Sequence, residues 1–114
     1  MMEVQRKRTK GFKLPPNTIC VNRGTKWGNP FKVVQHGKEW LVMRIEKGKE
    51  DEFFGRRKSK DSASAYAVTL YEKWVTAKIL VGDLDVLELQ GKNLACFCQV
   101  GDPCHRTVLI KLAN

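Results

Sequence analysis

A regular stripe of apolar side chains between residues 61 and 79 predicts the clearest helix of the chain. The stripe repeats at positions i, i+3, i+4, i+7 and i+8, which is the spacing of one face of an α-helix. Its members are Ala67, Leu70, Tyr71, Trp74 and Val75. Asp61 or Ser62 is the candidate N-cap, since short polar side chains accept hydrogen bonds from the first free amides. We expect the stripe to pack into the core, so its aromatic residues need no ligand to explain them.

Two short apolar runs bounded by turn residues predict buried strands. The first covers residues 18–21 and ends at the turn Asn22-Arg23-Gly24. The second covers residues 94–98 and is typical of a central strand. A final helix is predicted after it, with Asp102 as N-cap and Pro103 at the first helical position.

The middle of the chain carries a weaker pattern. Residues 33–34 and 39–44 fit strand or short helix, and the charged segment 47–60 is predicted to be an exposed loop. Residues 83–90 predict a short turn or helix, with Gly91 in the position that follows a helix end.

The order strand, loop, helix, strand, loop, helix predicts a small α/β domain. We expect one small domain built from a sheet with packed helices, with Rossmann-like strand–loop–helix ends. Residues 1–13 are polar and basic, so we expect them to form an N-terminal arm outside a single domain of residues 14–114. No apolar run approaches the roughly 18 residues of a membrane span, so we expect no membrane partner.

Charge is distributed unevenly along the 114 residues. The net charge is +9, and residues 1–32 carry 8 Lys and Arg against 1 acid. Residues 59–114 carry 6 against 6 and are neutral. A basic segment beside a neutral one indicates a phosphate-bearing partner or a nucleic acid, although a solvated basic face explains it equally well.

Three of the four cysteines crowd into a short C-terminal segment, beside a histidine and an arginine. The segment runs from Cys96 and Cys98 to Cys104, His105 and Arg106. Without a signal sequence, reduced thiols in the cytoplasm are expected. A phosphate or carboxylate would suit the free amides of the predicted helix start, with Arg106 as a clamp.

Three interpretations of this segment compete. Cys96, Cys98, Cys104 and His105 form a Cys₃His set of the softness that zinc prefers. Against zinc, adjacent Cys104 and His105 in one helical turn point about 100° apart. Alternatively, Cys104 is a nucleophile activated at the helix start, with His105 as acid or base. Core packing explains Cys96 and Cys98 readily, because both lie on one face of the strand.

A second group of chemistry-bearing residues follows the first strand, in loop 23–31. Arg23 provides a fork for anions, Trp27 a stacking face and Asn29 an edge that recognises an amide or a base. Gly24 and Gly28 allow close approach of the backbone. The simpler explanation is a tight turn whose Trp covers the core.

Taken together, these blocks resemble a known family. The similarity rests on Thr25-Lys26-Trp27-Gly28-Asn29-Pro30-Phe31, on Gly91 to Cys98 and on Pro103-Cys104-His105. They are similar to the domain of unknown function 4326 family, small proteins of bacteria and their phages. The resemblance implies that both loops belong to one site, with Arg23, Trp27, Gly28, Asn29 and Pro30 in the first block. Gly24 departs from the proline expected after the arginine. The C-terminal block is also similar to the domain of unknown function 488 family.

We therefore expect one pocket between loops 23–31 and 96–106 that binds a phosphate-bearing, nucleotide-like ligand. Arg23, Trp27, Gly28, Asn29 and Arg106 are the predicted binding residues. Cys104 and His105 would act if the ligand is processed rather than sequestered. The alternative is a zinc-stabilised nucleic-acid-binding module, in which the basic arm contacts phosphates.

Overall fold

The computed structural model describes residues 2–114, which form six strands, two α-helices and one short 3-10 helix. The α/β class is confirmed. The strands are β1 (Glu3–Gln5), β2 (Thr18–Cys20), β3 (Phe31–His36), β4 (Glu39–Arg44), β5 (Glu52–Arg57) and β6 (Asn93–Cys96). The helices are α1 (Lys60–Leu80), the 3-10 helix Val86–Leu89 and α2 (His105–Ala113). Neither α-helix in the described chain has the length and apolar character needed to cross a membrane.

The strands divide between two three-stranded sheets. The parallel sheet has the order β1-β6-β2, so β6 is central, as its apolar sequence predicts. The chain leaves β6 through loop 97–104 and enters α2, which gives the expected strand–loop–helix end. Carboxyl ends of parallel strands are where ligands collect in α/β folds, and the ends of β2 and β6 adjoin in this sheet.

The antiparallel sheet β3-β4-β5 corrects the expectation of an exposed loop at residues 47–60. Val42 pairs with Gly55 and Met43 with Phe53, so Phe54 is an extra residue in β5 at this point. The sequence does not indicate this strand, because β5 lies at a sheet edge and its exposed charged side chains interrupt the apolar–polar alternation that identifies a strand. Cross-strand hydrogen bonds with β4, which the sequence does not show, define it.

Helix α1 lies against the antiparallel sheet and also contacts α2. The predicted stripe is confirmed at its centre, where Tyr71 and Val75 are fully buried. The cap prediction is wrong by two residues or more, because the Ser59 side chain accepts a hydrogen bond from the amide of Ser62. The positive N-terminal end of α1 therefore starts at Lys60.

Helix α2 starts later than expected. Its N-cap is Cys104 rather than Asp102, whose amide instead bonds to the carbonyl of Gln99 in a turn. Cys104 has extended backbone angles (φ −151°, ψ 141°), so it precedes the helix, whereas His105 and Arg106 do lie in the first helical turn.

The expectation of an N-terminal arm outside the fold is wrong for residues 3–5. They form the edge strand β1, which pairs in parallel with β6 from Glu3 opposite Leu94 to Gln5 opposite Cys96. Val4 is buried within this strand. Strand pairing therefore holds this polar segment, which has too little apolar content for its period to be recognised.

Candidate functional site

The two predicted loops meet at one cavity. This first cavity has a volume of about 300 Å³. Arg23 and Asn29 reach it from loop 23–31, and Cys98, Cys104 and His105 reach it from the C-terminal segment. The juxtaposition follows from the parallel sheet, because β2 and β6 are neighbours and each delivers its loop to the same edge.

Cations and helix N-termini surround the first cavity. Arg23, Lys32 and Lys60 line it, and none of its lining residues, all within the described chain, is acidic. Lys60 begins α1 and His105 begins α2. Because free amides and a partial positive charge mark each helix start, both ends favour an anion. Lys32 and Lys60 lie outside the two sequence blocks, and no local motif could have identified them.

The Arg23 side chain is anchored to its own loop. Its guanidinium donates hydrogen bonds to the carbonyl of Asn29 and, at 2.8 Å, to that of Phe31. Desolvation lowers the pKa of Arg23 from its ordinary value, whereas nearby Cys98 and Cys96 raise it. The residue still reaches solvent, and its remaining N–H groups are available to an anion in the cavity.

A second cavity of about 450 Å³ adjoins the first. The two share Arg23, Asn29 and Lys32. The second cavity also contains Lys26 and the half-buried ring of Trp74 from α1. Trp74 was expected to be a core residue of the helix stripe, but the helix places its ring at the edge of the core, where it is partly exposed.

The structure contradicts the prediction that Trp27 is a stacking residue. Only 2% of this residue is exposed, and its carbonyl accepts a 2.6 Å hydrogen bond from the buried Tyr71 hydroxyl. A ligand cannot stack on a ring that the core covers. The glycine-flanked loop folds back over α1 instead of standing away from it, which the local sequence does not show.

Gly28 and Asn29 have structural roles that differ from those expected. A Cβ at Gly28 would lie 2.8 Å from the Arg23 Cα, so this glycine allows close packing of its own loop, and it also lines the second cavity. The buried Asn29 side chain accepts a 2.8 Å hydrogen bond from the amide of Phe31. Asn29 nevertheless lines both cavities. Gly24 has φ +97°, a conformation closed to the proline expected there.

Arg106 is not an anion clamp. It is fully buried, and its guanidinium contacts Glu3 at 3.2 Å and the carbonyl of Val4 at 2.7 Å. It also donates to the carbonyls of Cys96 and Cys98 at 3.4 and 3.3 Å. Because α2 starts at His105, the side chain turns under the parallel sheet and connects β1, β6 and loop 97–104.

The four candidate metal ligands form a compact group, here called the Cys–His cluster (Cys96, Cys98, Cys104 and His105). Ligand atoms of Cys96, Cys104 and His105 all lie within 4.8 Å of one another. The Sγ atoms of Cys96 and Cys98 are 3.8 Å apart. The structure therefore brings Cys96, Cys104 and His105 within ligand distance of one another, with Cys98 beside Cys96, while Cys20 on β2 is not part of the group.

Electrostatics distinguish the members of the Cys–His cluster. Hydrogen bonds from Cys104 and Cys98 lower the pKa of the Cys96 thiol, and the contact with Cys96 raises that of Cys104. Burial lowers the pKa of His105. The burial of His105 therefore favours its neutral imidazole.

Comparison with curated proteins finds no match, and comparison with solved structures finds none. A family model does match, over residues 4–114. The match includes the cavity residues, the Cys–His cluster and strand β1 from Val4 onward. The chain therefore belongs to the family described as Domain of unknown function (DUF4326).

Proposed function

We propose that this protein binds a phosphate-bearing, nucleotide-like ligand across the two adjoining cavities. One observation carries the proposal: a cation-lined cavity and a cavity with a partly exposed tryptophan share Arg23, Asn29 and Lys32. A nucleotide has the same two parts, an anion and a planar base. The volumes of about 300 and 450 Å³ lie within the usual range of ligand pockets.

The first cavity would hold the phosphate. Arg23 offers a planar fork and Lys32 and Lys60 offer mobile charges, while the start of α1 contributes free amides. The absence of acidic side chains among its lining residues, all within residues 2–114, leaves this charge uncompensated at close range. An anion is the ligand that such surroundings stabilise.

The second cavity would hold the base, on Trp74 instead of Trp27. The Trp74 ring packs against the Tyr71 ring at a centroid distance of 5.7 Å, and the Lys78 Nζ lies 5.6 Å from the Trp74 ring centroid. It is thus fixed on α1 and still borders the cavity. Stacking of a base on an aromatic ring contributes about 1–3 kcal/mol.

Binding is the activity we propose, with sequestration or sensing of the ligand as its use. The Nε2 atom of His105 is engaged with the carbonyl of Val21 at 2.5 Å. Its other ring nitrogen faces Cys104 at 3.9 Å. A catalytic role for Cys104 and His105 stays a prediction. The four free thiols suit the reducing cytoplasm, which is the compartment we propose.

Isothermal titration calorimetry tests whether the first cavity binds the phosphate. The ligands are inorganic phosphate and purine and pyrimidine nucleoside 5′-monophosphates. We expect the Lys32→Ala and Lys60→Ala variants each to weaken binding of both ligands about 5-fold, since one screened charge contributes about 1 kcal/mol. Lys73→Ala is the matched control, because Lys73 is exposed on the same helix about 20 Å from Lys60. Equal effects of all three variants would contradict the assignment.

A substitution of Trp74 tests whether the second cavity binds the base of a nucleotide. We expect Trp74→Leu to weaken nucleotide binding about 5- to 150-fold and to leave inorganic phosphate binding unchanged. Trp40→Leu, on β4, is the control for loss of a half-buried tryptophan. If single-stranded oligonucleotides bind with a steep salt dependence while mononucleotides do not bind, the nucleic-acid alternative is correct.

A further inference from the structure

The Cys–His cluster has a feature that phosphate binding does not need. Three soft donor groups, from Cys96, Cys104 and His105, converge beside the first cavity and are each at least nine-tenths buried, and the Cys98 thiol lies against Cys96. Buried cysteines are common core residues. Core packing does not require two thiols and an imidazole to converge with a third thiol beside them, however, so the convergence itself needs an explanation.

Two of the donor–donor distances are close to those of a tetrahedral zinc site, and the ligand atoms of Cys96, Cys104 and His105 all lie within 4.8 Å of one another. With Zn–S bonds of about 2.3 Å, two sulfurs of a tetrahedral site lie about 3.8 Å apart. The Sγ atoms of Cys96 and Cys98 are 3.8 Å apart. The Cys104 Sγ is 3.9 Å from the His105 Nδ1, within a few tenths of an ångström of the about 3.6 Å that a tetrahedral sulfur–nitrogen pair requires.

The backbone of Cys104 explains how adjacent residues reach one point. The expected divergence of Cys104 and His105 assumes that both are helical. Cys104 instead has extended angles and precedes the helix, which begins at His105. Its side chain is therefore free to turn toward the imidazole, and the physical objection to a shared metal does not apply.

Outer contacts orient the ligands. The carbonyl of Val21 accepts a 2.5 Å hydrogen bond from the His105 Nε2. That bond leaves a lone pair on Nδ1, which faces Cys104. Histidine ligands of zinc usually make such a bond with their other nitrogen. Arg106 also donates long hydrogen bonds to the carbonyls of Cys96, at the end of β6, and of Cys98, in the loop that follows.

We infer that Cys96, Cys98, Cys104 and His105 bind one Zn²⁺ ion in a closed, tetrahedral Cys₃His site. Soft thiolate and imidazole donors select zinc over magnesium or calcium. Three thiolates and Zn²⁺ carry one net negative charge, and the Arg23 guanidinium, which interacts electrostatically with all three cysteines, offsets it. The ion would connect β6 to the start of α2 and stabilise the wall of the first cavity.

Metal analysis and Co²⁺ substitution of the full chain test this inference. We expect one zinc per chain after purification, retained through gel filtration with a weak chelator. Replacement by Co²⁺ should give intense visible bands of tetrahedral geometry and near-ultraviolet charge transfer from three thiolates. X-ray absorption of the zinc protein should show three sulfurs at about 2.3 Å and one nitrogen at about 2.0 Å. These readouts use the wild-type chain and remain informative if a variant fails to fold.

Cysteine variants locate the site. We expect Cys96→Ser and Cys98→Ser to weaken zinc binding by more than about 100-fold, beyond the 10- to 100-fold typical of changes in outer contacts. Cys20→Ser is the control and should retain one zinc. The inference would be overturned by the absence of zinc or by a Co²⁺ spectrum without thiolate charge transfer. It would also be overturned by a Cys96–Cys98 disulfide in the protein as purified or by equal loss of zinc in Cys20→Ser. None of these measurements involves a nucleotide, so they are independent of the proposed binding function.

Discussion

Replacement of Arg106 by methionine separates a structural role from a ligand-binding one. Methionine preserves the length of the buried stem and removes the guanidinium. The Val4 carbonyl then loses a 2.7 Å charge-assisted hydrogen bond, worth about 1.5–3 kcal/mol. Glu3 is partly exposed and regains water, so its lost ion pair adds about 0–1 kcal/mol. The two longer contacts use the same nitrogen and contribute little.

The expected loss for Arg106→Met is therefore about 3 kcal/mol of unfolding free energy, or about 12 °C in Tm for a chain of this size. Urea unfolding and thermal melts followed by circular dichroism measure it. Arg8→Met is the control, because exposed Arg8 lies over the Phe97 ring at 4.2 Å and such contacts contribute about 0.5–1 kcal/mol. A variant that melts like wild type but no longer binds phosphate would refute the structural assignment and restore Arg106 as an anion clamp.

Three further changes probe the elements around the site. Trp27→Ala should lower the unfolding free energy by about 3–5 kcal/mol while the folded fraction binds nucleotide normally, as denaturant melts and calorimetry can show. Deletion of residues 2–6 should remove β1 and lower Tm, whereas an unchanged melt would show that the edge strand is dispensable. Gly28→Ala should push its new Cβ against the Arg23 backbone, which should lower the unfolding free energy by about 1–3 kcal/mol and weaken phosphate binding. Thermal melts and phosphate titrations measure the two effects. Gly55→Ala is the control and should leave phosphate binding unchanged, because the group nearest to Gly55 is the Tyr66 side chain.

The sequence indicates the fold best where local pattern and tertiary environment agree. The period of α1 is readable because the helix buries one face, and the apolar run of β6 is readable because successive residues of this central strand are buried. Strands β1 and β5 are not readable, since both lie at sheet edges and are held mainly by pairing with a neighbour. The partner of β1 is about 90 residues away in the chain, and β5 has mostly exposed residues with no apolar alternation, although its partner β4 is the preceding strand.

The same distinction applies to the site. The two blocks could be placed together because each follows a strand, and the cysteine spacing was visible. Whether Trp27 or Trp74 faces a cavity depends on how loop 23–31 folds over α1, which tertiary contacts decide. Arg106 could not be assigned either, because its partner Glu3 is over 100 residues away in the chain.

The most direct test of the binding site is a ¹H–¹⁵N correlation spectrum of the full chain titrated with a nucleoside 5′-monophosphate. We expect the shift changes to concentrate on the backbone amides of residues 23–29, 31–32, 60–64 and 104–106 and on the Trp74 indole N–H, with the Trp27 and Trp40 indoles little affected. Inorganic phosphate should move the amides but not the Trp74 indole. Saturable changes confined to residues 6–13, or no changes at millimolar nucleotide, would contradict a nucleotide site between the two loops.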